Sequence, residues 1–180
     1  MKEDIENTIA LYLDHYPDEH HRMAPFLIQY ENDGEEILKR SNMSGHITTS
    51  MIVVSHDLKN ILLIKHKSYG IWLQPGGHYE GDISLIDSAR REILEETGIV
   101  AEVALPFPID IDTHDIPARP EKNEGIHRHY DFVYLSIADR NLNLTIQEDE
   151  IDGFKWVPIN DLIGLTNHIG QLARKAIVKI

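Results

Sequence analysis

The chain contains no cysteine in its 180 residues. Disulfide staples, thiolate zinc sites and thiol nucleophiles are thereby excluded. It also lacks any apolar run of membrane-spanning length. The longest, such as Ile61-Leu62-Leu63-Ile64, are strand-sized. No Lys/Arg cluster interrupts it, and 17 basic against 30 acidic residues leave a formal charge of −13. A nucleic-acid backbone, which needs a basic stripe, is therefore not an expected partner. The opening Met1-Lys2-Glu3-Asp4-Ile5-Glu6 is acidic, without the basic start and apolar core of a signal peptide. A cytoplasmic protein without a membrane partner is the default expectation. Acidity alone can serve solubility. If the ligand is a phosphate, an acidic site needs divalent cations between protein and ligand.

What is present divides into two patterns. Residues 2 to about 40 read as helical: Ile5, Ile9, Tyr12, Leu13 and Tyr16 recur at helical spacing before Pro17. A second helical stretch is expected from His20 to Tyr30, and a short third one from Glu35 to Lys39. The pattern then changes to strands over Ile47–Val54 and Ile61–Lys65, joined by the turn Asp57-Leu58-Lys59-Asn60, with a short apolar Ile71-Trp72-Leu73 after them. Further strands are expected at Val100–Leu105, Phe132–Ile137, Leu142–Ile146 and Phe154–Val157, and helices at Ile159–Leu165 and His168–Ile180. The polar stretch from about Pro106 to His129 is too long for a simple connector and suggests a substrate loop or hidden strand. The order implies an α+β fold, an α/β/α layered domain over residues 45–180 with an N-terminal helical extension over residues 1–44.

The best helix runs from Ser84 to Thr97. Ser84 and Asp87 have capping-box spacing, and Gly98 stands where a left-handed terminator belongs. Ile86, Ala89, Ile93 and Thr97 form a stripe able to face a core. At about 100° per residue, Glu92 and Glu96 lie one turn apart with Glu95 close by, and Arg91 can pair with Glu95. These glutamates border the apolar stripe. Three carboxylates there repel one another and lose hydration, an arrangement that is costly unless cations compensate. Oxygen donors of this kind suit Mg²⁺ or Mn²⁺, which also accept phosphate oxygens. A charged, solvated helix face is the plainer explanation. The glycine loop Gly76-Gly77-His78-Tyr79-Glu80-Gly81-Asp82 ahead of the helix weighs against it.

The segment Gly77 through Ile99 resembles the Nudix box, a glycine loop followed by a helix bearing Arg-Glu-x-x-Glu-Glu-x-Gly. Gly77, Arg91, Glu92, Ile93, Glu95, Glu96, Gly98 and Ile99 match in register. Ile83 departs, standing where the family has its first glutamate; Glu80 and Asp82 are nearby substitutes. The resemblance covers roughly Gly45 to Leu165. It extends to a subgroup marked by Gly45-His46-Ile47-Thr48, Gly76-Gly77-His78, Asp112-Thr113-His114-Asp115-Ile116-Pro117 and His127-Arg128-His129-Tyr130-Asp131. It implies a Nudix-type sandwich with a mixed sheet. It also implies a Mg²⁺- or Mn²⁺-dependent pyrophosphohydrolase whose metal ligands are Glu92, Glu96, Glu95 and the Gly76 carbonyl. Arg91 would orient Glu95 and the loop. Glu150, ahead of the strand containing Trp156, would be the proton acceptor, with Asp149 and Glu148 as competitors. The implied partner is a nucleotide-type small molecule, and homodimers are common in the family.

The remaining candidates are histidines and aromatics. His78 could touch phosphate or support its loop. His127 and His129 share one face if their segment is a strand. With His114 they could hold a second metal or contact substrate, but hydrogen-bonded pocket residues are the preferred reading. Tyr79, Tyr130 and Trp72 are candidates to stack on a base, although aromatic residues more often belong to a core. The preferred function is hydrolysis of a nucleoside diphosphate linked to another group, or of a nucleoside triphosphate. The rivals are a non-catalytic nucleotide sensor, which Ile83 favours, and a metal-dependent diphosphate isomerase.

Overall fold

The run Ile47-Thr48-Thr49-Ser50-Met51-Ile52-Val53-Val54 is rich in β-branched residues, which lose freedom in a helix and pack well on a pleated surface. In the computed structural model, which describes residues 1–120 and 123–180, it forms strand β1 (His46–Ser55), buried along its whole length. A strand covered on both faces can be apolar throughout, so simple alternation is muted. Strand β2 (Asn60–His66) turns back antiparallel, with Val54 opposite Ile61. It is flanked by β3 (Ile71–Leu73) and β8 (Ile151–Pro158). Strand β4 (Gly76–His78) joins the first half of β1, antiparallel, with Thr48 opposite His78 and Thr49 opposite Gly77. On the other edge of β1 lies β7 (His127–Ala138), parallel and in register from His46↔His129 to Ser55↔Ala138. Strands β5 (Glu102–Val103) and β6 (Asp110–Ile116) pair antiparallel with β7. The sheet is therefore mixed.

The pleat sorts side chains onto two faces. Ile47, Met51, Val53, Phe132 and Tyr134 share a core with α1 (Lys2–His15), α2 (Ala24–Asp33) and α3 (Leu85–Thr97). Ile52, Val54, Val133 and Leu135 share a second core with α4 (Ile159–Leu162) and α5 (His168–Lys179). The layers are those of the α/β/α sandwich that the sequence implies. The N-terminal helices are packed into the first core through Ile5, Ile9, Tyr12 and Phe26. No helix among the described residues is long and apolar enough to cross a membrane.

Several boundaries differ from expectation. The second helix begins at Ala24 rather than His20, because Pro25 takes a first-turn position where its missing N–H costs nothing. Residues 34–38 form a 3₁₀ turn. The segment Leu142–Ile146, expected to be a strand, pairs with no strand. Its backbone meets the end of α3, where Thr145 N–H donates to the Thr97 carbonyl at 3.0 Å. Of the expected 100–105 strand, Glu102 and Val103 form the strand proper, and Ala104 N–H adds a bond to the Leu135 carbonyl at 2.8 Å. The long polar stretch holds β6, and within it Glu121 and Lys122 lie outside the described residues.

One buried charge ties distant parts together. Asp110 on β6 is fully buried. It accepts from Tyr12 Oη at 3.2 Å, Arg22 Nη1 at 3.2 Å, Lys175 Nζ at 2.7 Å and Gln171 Nε2 at 3.4 Å. A buried carboxylate needs such partners.

Candidate functional site

Helix α3 is fixed at both ends. The Ser84 hydroxyl accepts from Asp87 N–H at 3.2 Å. Gly98 adopts φ 72°, and its N–H donates to the Leu94 carbonyl at 2.9 Å. These caps set the helix phase so that Leu85, Ala89, Ile93 and Thr97 are buried. Glu92 and Glu96 then face strand β4. Glu96 is 2% exposed, and its Oε2 accepts from Gly76 N–H at 2.8 Å. Glu92 presses against Gly77, where a Cβ would fall 2.6 Å from the carboxylate carbon. A side chain here would displace the Glu92 carboxylate from the backbone.

Arg91 clamps the loop to the helix. It donates to the His78 carbonyl at 2.8 Å, Asp82 Oδ1 at 3.1 Å, Glu92 Oε1 at 2.9 Å and Glu95 Oε2 at 2.9 Å. Asp82 is thus engaged by Arg91, while Ile83 is 91% exposed and touches no core. Glu95 is half exposed beside the other two glutamates.

Glu150 precedes β8, and its backbone carbonyl accepts from Lys67 N–H at 2.8 Å. One oxygen each of Glu150 and Glu96 and a ring nitrogen of His66 lie within 4.8 Å of one another. Glu148 instead gives its backbone carbonyl to Lys67 Nζ. His66 is the member of this group that the sequence did not flag, because it closes an ordinary-looking apolar strand. Only the pairing of β2 with β8, which sets His66 opposite Ile151, brings it to Glu150.

The electrostatics follow from this crowding. Burial pushes the Glu96 carboxyl up to about 8, and Glu92, Glu150 and Glu95 add to the rise while the Gly76 hydrogen bond opposes it. Burial likewise pushes Glu92 up to about 7, with Arg91 opposing and Glu95 and Glu80 adding. Several carboxylates around a single engaged guanidinium form an oxygen donor set short of positive charge. A hard divalent cation fits it, and the Gly77 cradle leaves backbone close to the Glu92 carboxylate.

The opposite face of the same strands is lined differently. In β4, Gly77 meets Glu92, whereas His78 shares a face with its partner Thr48. On that face Asp131 is buried and accepts from Ser50 Oγ at 2.6 Å, Thr48 Oγ1 at 3.1 Å and Gln74 Nε2 at 3.3 Å. Burial holds the Asp131 carboxyl above the usual range, against the Ser50 hydrogen bond. His114 bonds Asp112 at 2.8 Å. The His78 and His129 rings meet edge to face at 5.2 Å. Burial among other imidazoles lowers His129 to about 2.

The structure therefore brings Glu92, Glu95, Glu96, Arg91, Gly76 and Glu150 into one neighbourhood, and His78 and His129 together on the opposite face of the sheet. It does not bring Tyr79 and Tyr130 there. Tyr130 is buried on the face covered by α1, α2 and α3, edge-on to Phe26 at 5.2 Å, with its hydroxyl on Gln29 at 2.8 Å. Tyr79 packs against the same core and donates to the Asp82 carbonyl at 2.8 Å. Buried there, Tyr130 offers no ring face for stacking a base. Trp72, on β3, has Lys155 Nζ over its ring at 4.1 Å.

Comparison with known proteins gives a consistent family. Residues 45–177 match the model of the NUDIX domain. A "Probable DHNTP pyrophosphohydrolase" of Lactococcus lactis is 34% identical over 121 residues, covering 67% of this chain and 68% of that protein. The "Phosphatase NudJ" of Escherichia coli is 39% identical over 134 residues, covering 73% of this chain and 80% of that protein. Among solved structures, a Caenorhabditis elegans Ap4A hydrolase in a binary complex aligns over 73% of this chain and 95% of its own, with a TM-score of 0.56 and 18% identity, a likeness of fold alone.

Proposed function

The chain belongs to the NUDIX domain family and is a hydrolase, and from that premise we propose that it cleaves a phosphoanhydride of a nucleoside diphosphate derivative or nucleoside triphosphate in the cytoplasm, with Mg²⁺ or Mn²⁺. The observation that carries the reading is the pair of buried carboxylates, Glu92 and Glu96, set against the Gly76-Gly77 backbone. Glu92, Glu96 and the Gly76 carbonyl would hold the cation, with Glu95 beside them. When bound, the cation would polarise phosphate oxygens and acidify a water.

The chain's own residues divide the remaining work. Arg91 fixes the loop and keeps Glu92 and Glu95 in place by its four contacts. Glu150, close to Glu96, accepts the proton from the attacking water. His78 and His129 meet the substrate from the sheet face that also carries Asp131 and Gln74. The buried Asp131 carboxyl, held above its usual range, can present either a donor or an acceptor to a polar group there.

A non-catalytic sensor remains the second reading, because Ile83 supplies no carboxylate and Asp82 is held by Arg91. A phosphate-release screen against nucleoside diphosphate and triphosphate compounds separates the two. It is run with Mg²⁺, with Mn²⁺ and with chelator, and with a phosphatase added to expose monophosphate ends. Cation-dependent turnover of one compound class, with one solvent oxygen incorporated per event, is expected. Nucleotide binding without turnover across the panel would replace hydrolysis by sensing. Conversion without solvent oxygen would mean isomerisation.

A further inference from the structure

Beyond the carboxylate site, the described residues hold two other groups with the composition of a metal site. Asp110, Asp112 and His168 are one. Arg22 lies against both carboxylates and Lys175 against Asp110, so cations of the protein itself already occupy it. The other has no such neutralisation. It consists of His46, His127 and His129, all buried, with one ring nitrogen from each lying within 4.8 Å of the others.

We propose that His46, His127 and His129 form a binding site for a nitrogen-preferring divalent transition ion, with Zn²⁺ as the reference occupant. Four observations support it. First, the pairing is built by topology: the parallel ladder sets His46 of β1 opposite His129 of β7, and His127 lies two residues along on the same face. Second, the outer nitrogens are taken. His46 Nδ1 lies 3.1 Å from the Asn42 carbonyl, and His127 Nδ1 lies 2.8 Å from the Gly125 carbonyl. A carbonyl only accepts, so each Nδ1 carries the hydrogen and each Nε2 presents a lone pair. This is how histidine ligands are oriented at metal centres.

Third, the His127 and His129 Nε2 atoms are 3.2 Å apart. Two nitrogens bound to one tetrahedral Zn²⁺ at about 2.0–2.1 Å stand about 3.3 Å apart. Fourth, His46 Nε2 is buried, and no hydrogen-bond partner for it exists among the described residues. A shared proton accounts for the His127–His129 contact but leaves His46 Nε2 orphaned. A central ion satisfies all three. The 4.8 Å bound leaves at most about 1.5 Å of closure, within reach of side-chain rotation.

Chemistry selects the occupant. Three neutral imidazoles suit Zn²⁺, Cu²⁺, Ni²⁺ or Fe²⁺ and are poor donors for Mg²⁺. The His78 ring, 5.1 Å from His46 and 5.2 Å from His129, is placed to approach a fourth position. The ion would bolt β1 to β7 at the end of the sheet where β4 attaches, where His78 follows the Gly77 that cradles Glu92. His129, assigned above to the substrate face, would then act through the ion it holds.

The test uses the full chain, stripped with chelator and titrated calorimetrically with Zn²⁺ in excess Mg²⁺. One zinc per chain is expected. It should persist in Glu92→Gln/Glu96→Gln and be lost in His46→Gln/His129→Gln, with far-ultraviolet circular dichroism confirming that each variant is folded. Saturation at a hundredfold excess over Kd should raise Tm by roughly 5–10 °C. Cobalt loading of the unmutated protein gives a readout independent of folding in the variants. Intense visible bands of a four-coordinate nitrogen site are expected. Absence of zinc binding, or zinc lost with the glutamates and kept without the histidines, would overturn the proposal. So would only the weak spectrum of an octahedral oxygen site.

Discussion

Replacing Glu96 by Gln should make the cation-free protein more stable above neutral pH while removing its activity. The ordinary carboxyl value of 4.5 rises to about 8 in the fold, mainly through burial and then through neighbouring glutamates. A raised folded value means that Glu96 costs the fold nothing below 4.5 and progressively more as pH climbs through about 8. That interval corresponds to a ceiling of about 5 kcal/mol. Gln imitates the neutral acid, and its Oε1 can still accept from Gly76 N–H. The two proteins should therefore melt together near pH 5 in chelator. They should diverge by at least about 2 kcal/mol near pH 9, or roughly 4–8 °C in Tm for a chain of this size. Thermal melts across this range, with and without Mg²⁺, measure it directly. Mg²⁺ should rescue the unmutated protein more than the variant, and turnover of the variant should fall by orders of magnitude. Parallel melting of the two proteins across the pH range would refute the account of Glu96 as a buried, cation-demanding carboxylate.

Arg91→Lys replaces a planar fork serving four acceptors by a single ammonium, so it should lower stability by about 1–3 kcal/mol and depress kcat, measured by melts and steady-state rates. Gly77→Ala places a Cβ 2.6 Å from the Glu92 carboxylate carbon; kcat should drop about tenfold or more with the fold retained, and near-normal rates would discount the cradle. Glu150→Gln should reduce kcat by about 10²–10⁴ with little change in KM, measured by steady-state rates. Ile83→Glu, at a position 91% exposed, should melt within about 0.5 kcal/mol of the parent.

The parts of this molecule legible from residues alone were those whose signals are local. Ser84 and Gly98 bracket α3, the spacing of Arg91, Glu92, Glu95 and Glu96 is intrinsic to one helix, and the β-branched run announces β1. Strand β6 was hidden because its inward residues include Asp110 and Asp112, whose burial depends on Arg22 and Lys175 arriving from elsewhere. The segment Leu142–Ile146 has strand composition, but its Thr145 N–H goes to the end of α3, a partner that composition cannot announce. Tyr130 looked available for stacking until α2 was seen to bury it. His46 acquires meaning only through the parallel register that sets it beside His129, and His66 only through β8. Each failure has one cause: long-range pairing leaves no trace in a short window.

The four donors around Asp110 carry a consequence for how the chain reaches this state during synthesis. Along the chain Tyr12 and Arg22 come first, Asp110 follows, and Gln171 and Lys175 are the last of the five to leave the ribosome. The first helices can form early, but the full set of donors to the β6 carboxylate is complete only once Lys175 has emerged. Lys175 follows Asp110 by 65 residues, so this buried carboxylate gains its last donor well after β6 itself has been made.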